Sequence, residues 1–439
     1  MKKLIQLKLK ILSRMVLKKY HPFVIGITGS VGKTSTKEAV SAVLSKKYNV
    51  GSGIKNYNNE IGLPLVIVGA ESPGRNIFGW FGVFFKVIKN LLFVDPAYPE
   101  ILVLEMGIDS PGDMEYLTSI AQPNIAIVTA IGNVHLENFG TKPRLIKEKS
   151  DLVRAVQKDG WSILNYDDEV VRKMNDLSKA KVLTYGFREK ADVQAIEINF
   201  SFKKDLESAE EVREVASLAG ISFKLKYKGA AVPVLLPGVV GYNSIYASLA
   251  AASVGLALQM NLHEISEGLR NIKSPKGRMN LIPAIKHALI IDDTYNAEPK
   301  SVASGLSILA EFSIKNTAKK YAILGDMLEL GSMSEEEHRR IGRMVQDLRI
   351  DYLVTVGSRA LDINHGAIEI GMSEDCVFHF SNTEEAGKFV QERMHQGDLI
   401  FVKGSQGMRM EKIVKEIMAE PLRAEELLVR QDREWVGKI

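Results

Sequence analysis

The sequence predicts an α/β protein in which a P-loop central domain with a parallel sheet precedes a C-terminal Rossmann-like α/β domain. Three observations support this fold class. An apolar run at 23–27 leads through a glycine-rich loop into a helical stretch. Continuous apolar runs at 101–104 and 124–130 are typical of strands buried on both faces of a parallel sheet. Beyond a break at 274–277, strands alternate with helical stretches, as in βαβ units, at 289–292, 321–324, 352–356, 377–380 and 399–402.

The elements between these strands follow from local patterns. Helices are predicted near 112–121, 143–157 and 242–258. A further helix over 334–348 begins at Ser334, the expected N-cap, with Glu337 three residues later as in a capping box. Between about 193 and 236 the sequence is short, alternating and rich in β-formers. That pattern predicts a smaller antiparallel subdomain.

Two segments stand apart from this alternation. Residues 1–22 contain seven basic and no acidic side chains, and their apolar residues fall on one helical face. This basic amphipathic segment fits either a helix packed on the protein or one that lies on anionic lipid. Residues 76–93 are unusually aromatic. They fit a membrane or partner contact, or a helix that packs on the N-terminal one.

Composition narrows the class of protein. The 439 residues are 46% hydrophobic and 25% charged, with a net charge of +4. Because the basic excess is concentrated in the first 22 residues, nucleic-acid binding is not favoured. The lone Cys376 excludes an internal disulfide, and no apolar run is long enough for a membrane span. We expect a cytoplasmic monomer that acts on small molecules, and residues 1–20 and 76–93 are the candidate segments for a peripheral membrane contact.

A phosphate-binding loop is the most informative motif. The stretch Gly26-Ile27-Thr28-Gly29-Ser30-Val31-Gly32-Lys33-Thr34 joins a predicted strand to a predicted helix. There, backbone N–H groups and the helix N-terminus bind phosphates, a lysine reaches the outer phosphates, and a threonine can hold Mg²⁺. The match is imperfect, because Ile27 occupies the position of the first glycine. We expect ATP and Mg²⁺ as cofactors, with the nucleotide bound by Gly29, Ser30, Val31, Gly32, Lys33, Thr34 and Ser35.

Four further clusters are candidates for chemistry: three carboxamides, a strand-end acid, a loop histidine and a lysine pair. They are Asn56, Asn58 and Asn59, then Glu105, His135, and Lys147 with Lys149. Glu105 ends a buried strand, at the edge where doubly wound sheets bind ligands, so Mg²⁺ is its natural partner. His135 would lie at the same edge or be an ordinary loop histidine. The carboxamides fit turn formers equally well, and a lysine pair on a helix normally marks a solvated face.

Taken together, these motifs resemble those of the Mur ligase family. Their order and rough spacing hold over about residues 23–415. The segments that carry the resemblance are 28–34, 56–64, 105–107, 135–140, 277–279, 292–297, 324–331 and 402–405. Within the family, the asparagine motif at 56–64 is similar to that of the branch that joins D-Ala-D-Ala to a UDP-MurNAc-tripeptide.

The resemblance implies an activity and a set of roles. An ATP-dependent ligase would convert a carboxylate into an acyl phosphate, which an amine attacks to form an amide. Lys33, His135 and Lys149 would be catalytic, and Thr34, Glu105, His135 and Lys149, the last carbamylated, would bind metal. Arg278, Asn296 and Asp326 would bind the nucleotide, with Asn56, Asn58 and Asn59 near the substrate. The expected product belongs to peptidoglycan precursor synthesis, and so to cell-wall biogenesis, cell shape and cell division.

The expected domain limits are 1–22, 23–275, 276–420 and a polar tail over 421–439. In the branch described above, a domain that holds the UDP end of the substrate precedes the nucleotide loop. Here the loop begins after only about twenty residues, so that domain is expected to be absent. Two alternatives follow: a ligase for a different acid, such as a tetrapyrrole or a poly-amino acid, and a non-catalytic nucleotide-binding scaffold.

Overall fold

The structure is a computed structural model that describes residues 2–53, 57–74, 76–132, 139–201, 220–272, 274–315, 317–431 and 435. The chain divides into two compact units. The first comprises Met1–Ile198, Phe223–Leu235 and Asn243–Ile272, and the second comprises Asn199–Ser222, Leu236–Tyr242 and Lys273–Ile439. A sheet of nine strands is built mainly from the first unit, and a sheet of six strands belongs to the second. The predicted α/β fold class is confirmed.

The nine-stranded sheet has the order β2-β3-β1-β4-β5-β6-β7-β8-β9. The bounds are β1 Phe23–Thr28, β2 Val50–Ser52, β3 Ile101–Glu105, β4 Ile125–Val128, β5 Trp161–Asn165, β6 Lys181–Gly186, β7 Val193–Ser201, β8 Gly220–Tyr227 and β9 Ala230–Pro237. In this order, all the neighbouring pairs from β2 to β7, including those made by β1, are parallel. Because β3 and β4 are buried along their whole length, they form continuous apolar runs in the sequence. The register places Ile27 opposite Glu105, so β1 and β3 end at the same edge.

The described strands within 193–236 do not form a smaller sheet of their own, as the predicted antiparallel subdomain would require. Strands β7, β8 and β9 extend the large sheet beyond β6 instead. A two-residue turn joins β8 to β9, where Lys228 and Gly229 have positive φ angles of 47° and 84°, as in a tight hairpin. An alternating pattern identifies half-buried strands, but it does not contain the information about which sheet they join.

The helices that accompany this sheet are α1 Lys2–Tyr20, α2 Lys33–Leu44, α3 Gly62–Ile67, α4 Ile77–Leu92, α5 Asp113–Ile120, α6 Lys142–Arg154, α7 Glu169–Arg172, α8 Tyr242–Ala257 and α9 Leu262–Leu269. The helices predicted near 112–121, 143–157 and 242–258 correspond to α5, α6 and α8. Helix α1 is docked on the first unit by Leu9, Ser13 and Val16, which are fully buried. No helix among the described residues is long and apolar enough to cross a membrane.

The six-stranded sheet has the order β10-β11-β15-β12-β13-β14, and only the β10–β11 pair is antiparallel among the described pairs. The bounds are β10 Asn280–Pro283, β11 Leu289–Asp293, β12 Lys320–Gly325, β13 Tyr352–Val356, β14 Val377–Phe380 and β15 Leu399–Lys403, with helices α10 Pro299–Glu311, α11 Ser334–Asp347, α12 Leu361–Glu369, α13 Thr383–Arg393, α14 Glu411–Ile417 and α15 Ala424–Leu427. Successive strand residues belong to different apolar clusters: Ile290 lies in one and Ile291 in the other, on the opposite face of the sheet. Helices therefore cover both faces of the sheet.

Two local predictions for the second unit need correction. Ser334 is the first residue of α11 and not its N-cap, and no side-chain capping bond is made there. Its hydroxyl lies instead 3.4 Å from Nδ1 of His338, one turn further along. The polar tail is predicted over 421–439, of which the structure describes 421–431 and 435, and there Leu428 and Arg430 are buried in the second unit. This part of the chain packs on the second unit for two reasons. Leu428 joins an apolar cluster, and the Arg430 guanidinium finds hydrogen-bond acceptors that are themselves buried.

Candidate active site

The phosphate loop connects β1 to α2, and the end of β4 holds it in place. Gly32 has a φ of 86° and immediately precedes α2, so a left-handed residue starts the helix. Gly29 has a φ of 148°, and a Cβ there would lie 1.9 Å from Oγ1 of Thr129. That hydroxyl donates to the carbonyl of Val31 at 2.6 Å, and Ser30 N donates to the carbonyl of Ala130 at 2.7 Å. Contacts within the protein therefore hold the shape of the loop.

The loop contains groups that suit a polyphosphate. The Lys33 ammonium folds back and donates to the carbonyl of Gly29 at 2.8 Å. The Ser30 hydroxyl is buried and has no hydrogen-bond partner among the described residues. A buried hydroxyl without a partner is unusual, since leaving such a group unpaired costs about 1–3 kcal/mol. A phosphate oxygen would supply the missing partner, so this loop fits the triphosphate of ATP.

A buried carboxylate lies beside the start of α2. Thr34 Oγ1 donates to Oε2 of Glu105 at 3.0 Å, and Asn58 Nδ2 contacts Oε1 at 3.3 Å. Glu105 is only 7% exposed. Among the described residues, no group of three or more His, Cys, Asp or Glu side chains could hold a metal alone. Mg²⁺ usually binds one or two protein oxygens together with substrate phosphates and water, and Thr34 with Glu105 matches that donor set.

Lys149 is buried against the loop, contrary to what its sequence pattern alone suggested. It lies on α6, is 2% exposed, and donates to the carbonyl of Gly29 at 3.0 Å. Lys147, the other member of the pair, is exposed. Burial, together with the nearby Lys33 ammonium, lowers the pKa of Lys149 to about 7, although Asp109 and Glu148 oppose that change. A substantial fraction of this amine is therefore neutral at physiological pH.

The structure brings together only some of the predicted residues of the first unit. Lys33, Thr34, Glu105, Asn58 and Lys149 surround the loop, as described above. Asn59 is exposed, and its Oδ1 accepts hydrogen bonds from the backbone N–H groups of Ile61 and Gly62, so its side chain shapes the start of α3. Asn56 and His135 lie outside the described residues. Their expected roles stay predictions.

In the second unit, the predicted nucleotide residues follow neighbouring parallel strands. Asn296 lies after β11, and its Oδ1 accepts from Gln406 N at 3.3 Å. Its carbonyl accepts from Lys403 Nζ, which also forms a buried ion pair with Asp293 at 2.5 Å. Because β11 and β12 both neighbour β15, these groups share the carboxyl-end edge of the sheet with Asp326. Doubly wound sheets bind ligands at this edge.

The remaining two nucleotide residues have structural partners of their own. The Arg278 guanidinium lies over the ring of Tyr295, 4.1 Å from its centroid. Asp326 Oδ1 accepts from the backbone N–H groups of Arg359 and Ala360 at 3.0 and 2.8 Å. Asp326 thus holds the loop that follows β13, which is a task that its motif did not predict.

Sequence reasoning missed two groups at these edges. Asp168 caps α7 and its Oδ2 accepts from Ile131 N at 2.8 Å, which ties the chain after β4 in place. Arg430 donates to the carbonyls of Thr294 and Tyr295 at 2.5 and 3.1 Å, and pairs with the buried Glu411 at 3.0 Å. No local signal in the sequence marks Arg430, because its partners are distant along the chain.

Comparison with known proteins agrees with this geometry. The family model of the Mur ligase middle domain matches residues 27–77 and 85–254. The model of the Mur ligase glutamate ligase domain matches residues 277–406. The chain belongs to the Mur ligase family. The family resemblance inferred from the motifs is thereby confirmed.

Comparison with individual proteins shows which Mur ligases this chain is similar to. The UDP-N-acetylmuramoyl-tripeptide–D-alanyl-D-alanine ligase of Bacillus subtilis is 29% identical, over 94% of this chain and 79% of that protein. The Escherichia coli enzyme of that name is 28% identical, over 89% of this chain and 76% of that protein. A crystal structure of MurF from Acinetobacter baumannii aligns with a TM-score of 0.74 at 27% identity, covering 93% of this chain and 79% of that one. The Thermotoga maritima MurF in complex with ADP also aligns at 0.74, with 25% identity and coverage of 94% and 83%.

Proposed function

We propose that this Mur ligase joins D-Ala-D-Ala to a UDP-MurNAc-tripeptide through an acyl phosphate, at the expense of ATP. The observation that carries the proposal is the buried Glu105, hydrogen-bonded by Thr34 and Asn58 next to the phosphate loop. The names of the relatives support the substrate pair. The ADP complex of the Thermotoga maritima protein supports the use of ATP.

The chemistry follows from the poor reactivity of a carboxylate toward an amine. The tripeptide carboxylate attacks the γ-phosphorus of ATP, ADP leaves, and the acyl phosphate forms. The amine of D-Ala-D-Ala then attacks the acyl carbon, and inorganic phosphate leaves with one of the original carboxylate oxygens. Lys33 and the loop N–H groups would stabilise the charge on the transferring phosphoryl group. Mg²⁺, held by Thr34 and Glu105, would supply further neutralisation of that charge.

Within this proposal Lys149 carries a carbamate. The neutral amine adds to CO₂ and loses one proton, so an uncharged amine becomes a carbamate with one negative charge on the same side chain. The burial of Lys149 and its lowered pKa support this, since the neutral amine is the reactive form. The carbamate and His135 would hold a second metal ion. Arg278, Asn296 and Asp326 would meet the phosphates, adenine and ribose of the nucleotide, and Asn56, Asn58 and Asn59 would lie near the substrate.

Phosphate release from Mg·ATP tests the proposed reaction. Purified protein would receive UDP-MurNAc-tripeptide and D-Ala-D-Ala together, and then each alone. We expect release only with both substrates, and an amide product by mass. Lys33→Ala should abolish release, whereas the exposed control Lys147→Ala should retain it. Release with another acid in place of the tripeptide would support the different-acid alternative, and nucleotide binding without any turnover would support the scaffold.

We also propose a cellular location, an oligomeric state and a domain organisation for the enzyme. The enzyme acts as a monomer in the cytoplasm, with peripheral membrane contact through residues 1–20 and 76–93. Residues 23–275 and 276–420 serve as its functional domains. Analytical ultracentrifugation of the purified chain at catalytic concentrations tests the monomer, and a dimer would contradict it.

A further inference from the structure

Helix α4 exposes an unusual apolar stripe. Phe78, Phe81, Phe85, Ile88 and Leu92 follow each other at intervals of three and four residues, so they lie along one side of the helix. All five side chains are between 49% and 85% exposed. Monomeric proteins rarely expose a contiguous apolar patch of this kind without a binding function. We call these five residues the α4 stripe.

The opposite side of α4 explains why the helix holds this orientation. Trp80, Val83 and Val87 are buried, and Trp80 and Val83 share an apolar cluster with Leu9 of α1. Lys19 of α1 donates to the carbonyls of Asn90, Leu91 and Phe93 at the end of α4. Helix α4 is therefore fixed to the first unit by one side, and the α4 stripe cannot turn inward.

The charge around the stripe indicates which partner it suits. Neither α1 nor α4 contains an acidic residue. Lys8 lies 5.9 Å from the centroid of the Phe84 ring, and Lys89 is an exposed residue of α4 itself. An apolar stripe on a helix whose own charges, like those of the adjacent α1, are all basic matches the interface of an anionic lipid bilayer, where rings enter the acyl boundary and lysines meet headgroups.

The segment is also separate from the catalytic machinery. The family model of the middle domain matches up to residue 77 and resumes at residue 85, so it leaves 78–84 unmatched. None of the residues that surround the phosphate loop belongs to α4. Phe78 and Phe81 of the α4 stripe therefore lie in a segment that the family model does not include, whereas Phe85, Ile88 and Leu92 lie in the matched part.

We infer that the α4 stripe inserts into the interface of an anionic membrane, with the basic side chains of α1 and α4 facing the headgroups. The inference specifies the surface and lipid charge behind the peripheral contact proposed above, and it is independent of the ligase reaction. Helix α4 would lie in the plane of the interface, since its 16 residues are too few to span a bilayer.

Vesicle sedimentation of the full chain tests this inference. The probes are vesicles of phosphatidylcholine alone and vesicles of three parts phosphatidylcholine to one part phosphatidylglycerol. We expect binding to the anionic vesicles only, weakened by added salt. Phe81→Gln/Phe85→Gln should reduce that binding at least about tenfold, because two exposed rings no longer leave water.

A matched control variant replaces exposed apolar side chains in a different part of the protein. Met333→Gln/Leu422→Gln replaces two exposed apolar residues of the second unit, and it should leave vesicle binding unchanged. Equal thermal melting of both variants and the original chain checks the fold, and equal ligation without vesicles keeps this test apart from the proposed function. The inference is wrong if the anionic vesicles do not bind, or if Phe81→Gln/Phe85→Gln binds them normally. A loss of self-association in that variant, without vesicle binding by the original chain, would assign the stripe to a second copy of the chain.

Discussion

Asp292 provides a quantitative test of the electrostatics in the second unit. It is the fourth residue of β11 and is fully buried. Oδ1 accepts from the N–H and the hydroxyl of Thr294, but Oδ2 has no partner among the described residues. Burial raises the pKa of Asp292 to about 6, although the bonds from Thr294 oppose that rise. The folded protein therefore binds this proton more tightly than the unfolded chain does.

The sign and size of the effect follow from linkage. A raised carboxyl pKa means that stability is fully present below the unfolded pKa and falls as the pH rises toward 6. The shift from 3.8 to about 6 corresponds to about 3 kcal/mol lost once the pH exceeds 6. Asp292→Asn removes the titration. Relative to the original chain, the variant should gain roughly 2 kcal/mol between about pH 4.5 and pH 7.5.

Urea unfolding at the two pH values measures this difference. The new amide donor at the Oδ2 position could cost about 1–3 kcal/mol, but that cost does not vary with pH. A difference between variant and original chain that is constant with pH would refute the reasoning. Asp293→Asn is a comparison variant that tests the buried ion pair with Lys403; it is not a control for pH dependence, because burial raises the pKa of Asp293 as well. Loss of the Asp293 carboxylate charge should destabilise the protein by about 3–5 kcal/mol at neutral pH, because it breaks the buried ion pair.

Three further predictions concern the ligase site. Glu105→Gln should lower turnover at least about a hundredfold with ATP still bound, because a metal ligand loses its charge; normal turnover at low Mg²⁺ would contradict the assignment. Lys149→Ala should lose activity to a similar extent and regain part of it with added acetate, which replaces the carbamate; equal rescue of Lys33→Ala would show a nonspecific effect. Arg430→Lys should raise KM for ATP about tenfold with kcat little changed, because the carbonyls of Thr294 and Tyr295 lose the hydrogen bonds from the guanidinium. A fall in kcat alone would exclude that positioning role.

Much of the fold follows from patterns that act over short distances. The strand–loop–helix around Lys33 and the buried strand before Glu105 need only local apolar runs and glycine positions to be recognised. Most described strand pairs of both sheets are parallel because helical stretches separate most of the strands, and the sequence shows those stretches. The edge at which Thr34 and Glu105 meet was therefore predictable.

Other features depend on contacts between distant residues. Nothing in the spacing of Lys147 and Lys149 indicates that α6 buries the second and exposes the first. Similarly, the alternating pattern of β8 and β9 does not specify the sheet to which they belong. The buried position of Arg430 is determined by Glu411 and the carbonyls after β11, so composition alone suggested a polar tail.

Transfer of a heavy oxygen isotope tests the central claim most directly. The tripeptide substrate would be labelled in both oxygens of its reacting carboxylate and incubated with D-Ala-D-Ala, Mg·ATP and the purified chain. An acyl phosphate predicts that each released phosphate contains one heavy oxygen and that the amide product retains the other. Unlabelled phosphate would contradict activation by phosphoryl transfer, and unlabelled phosphate without amide would contradict the ligase itself.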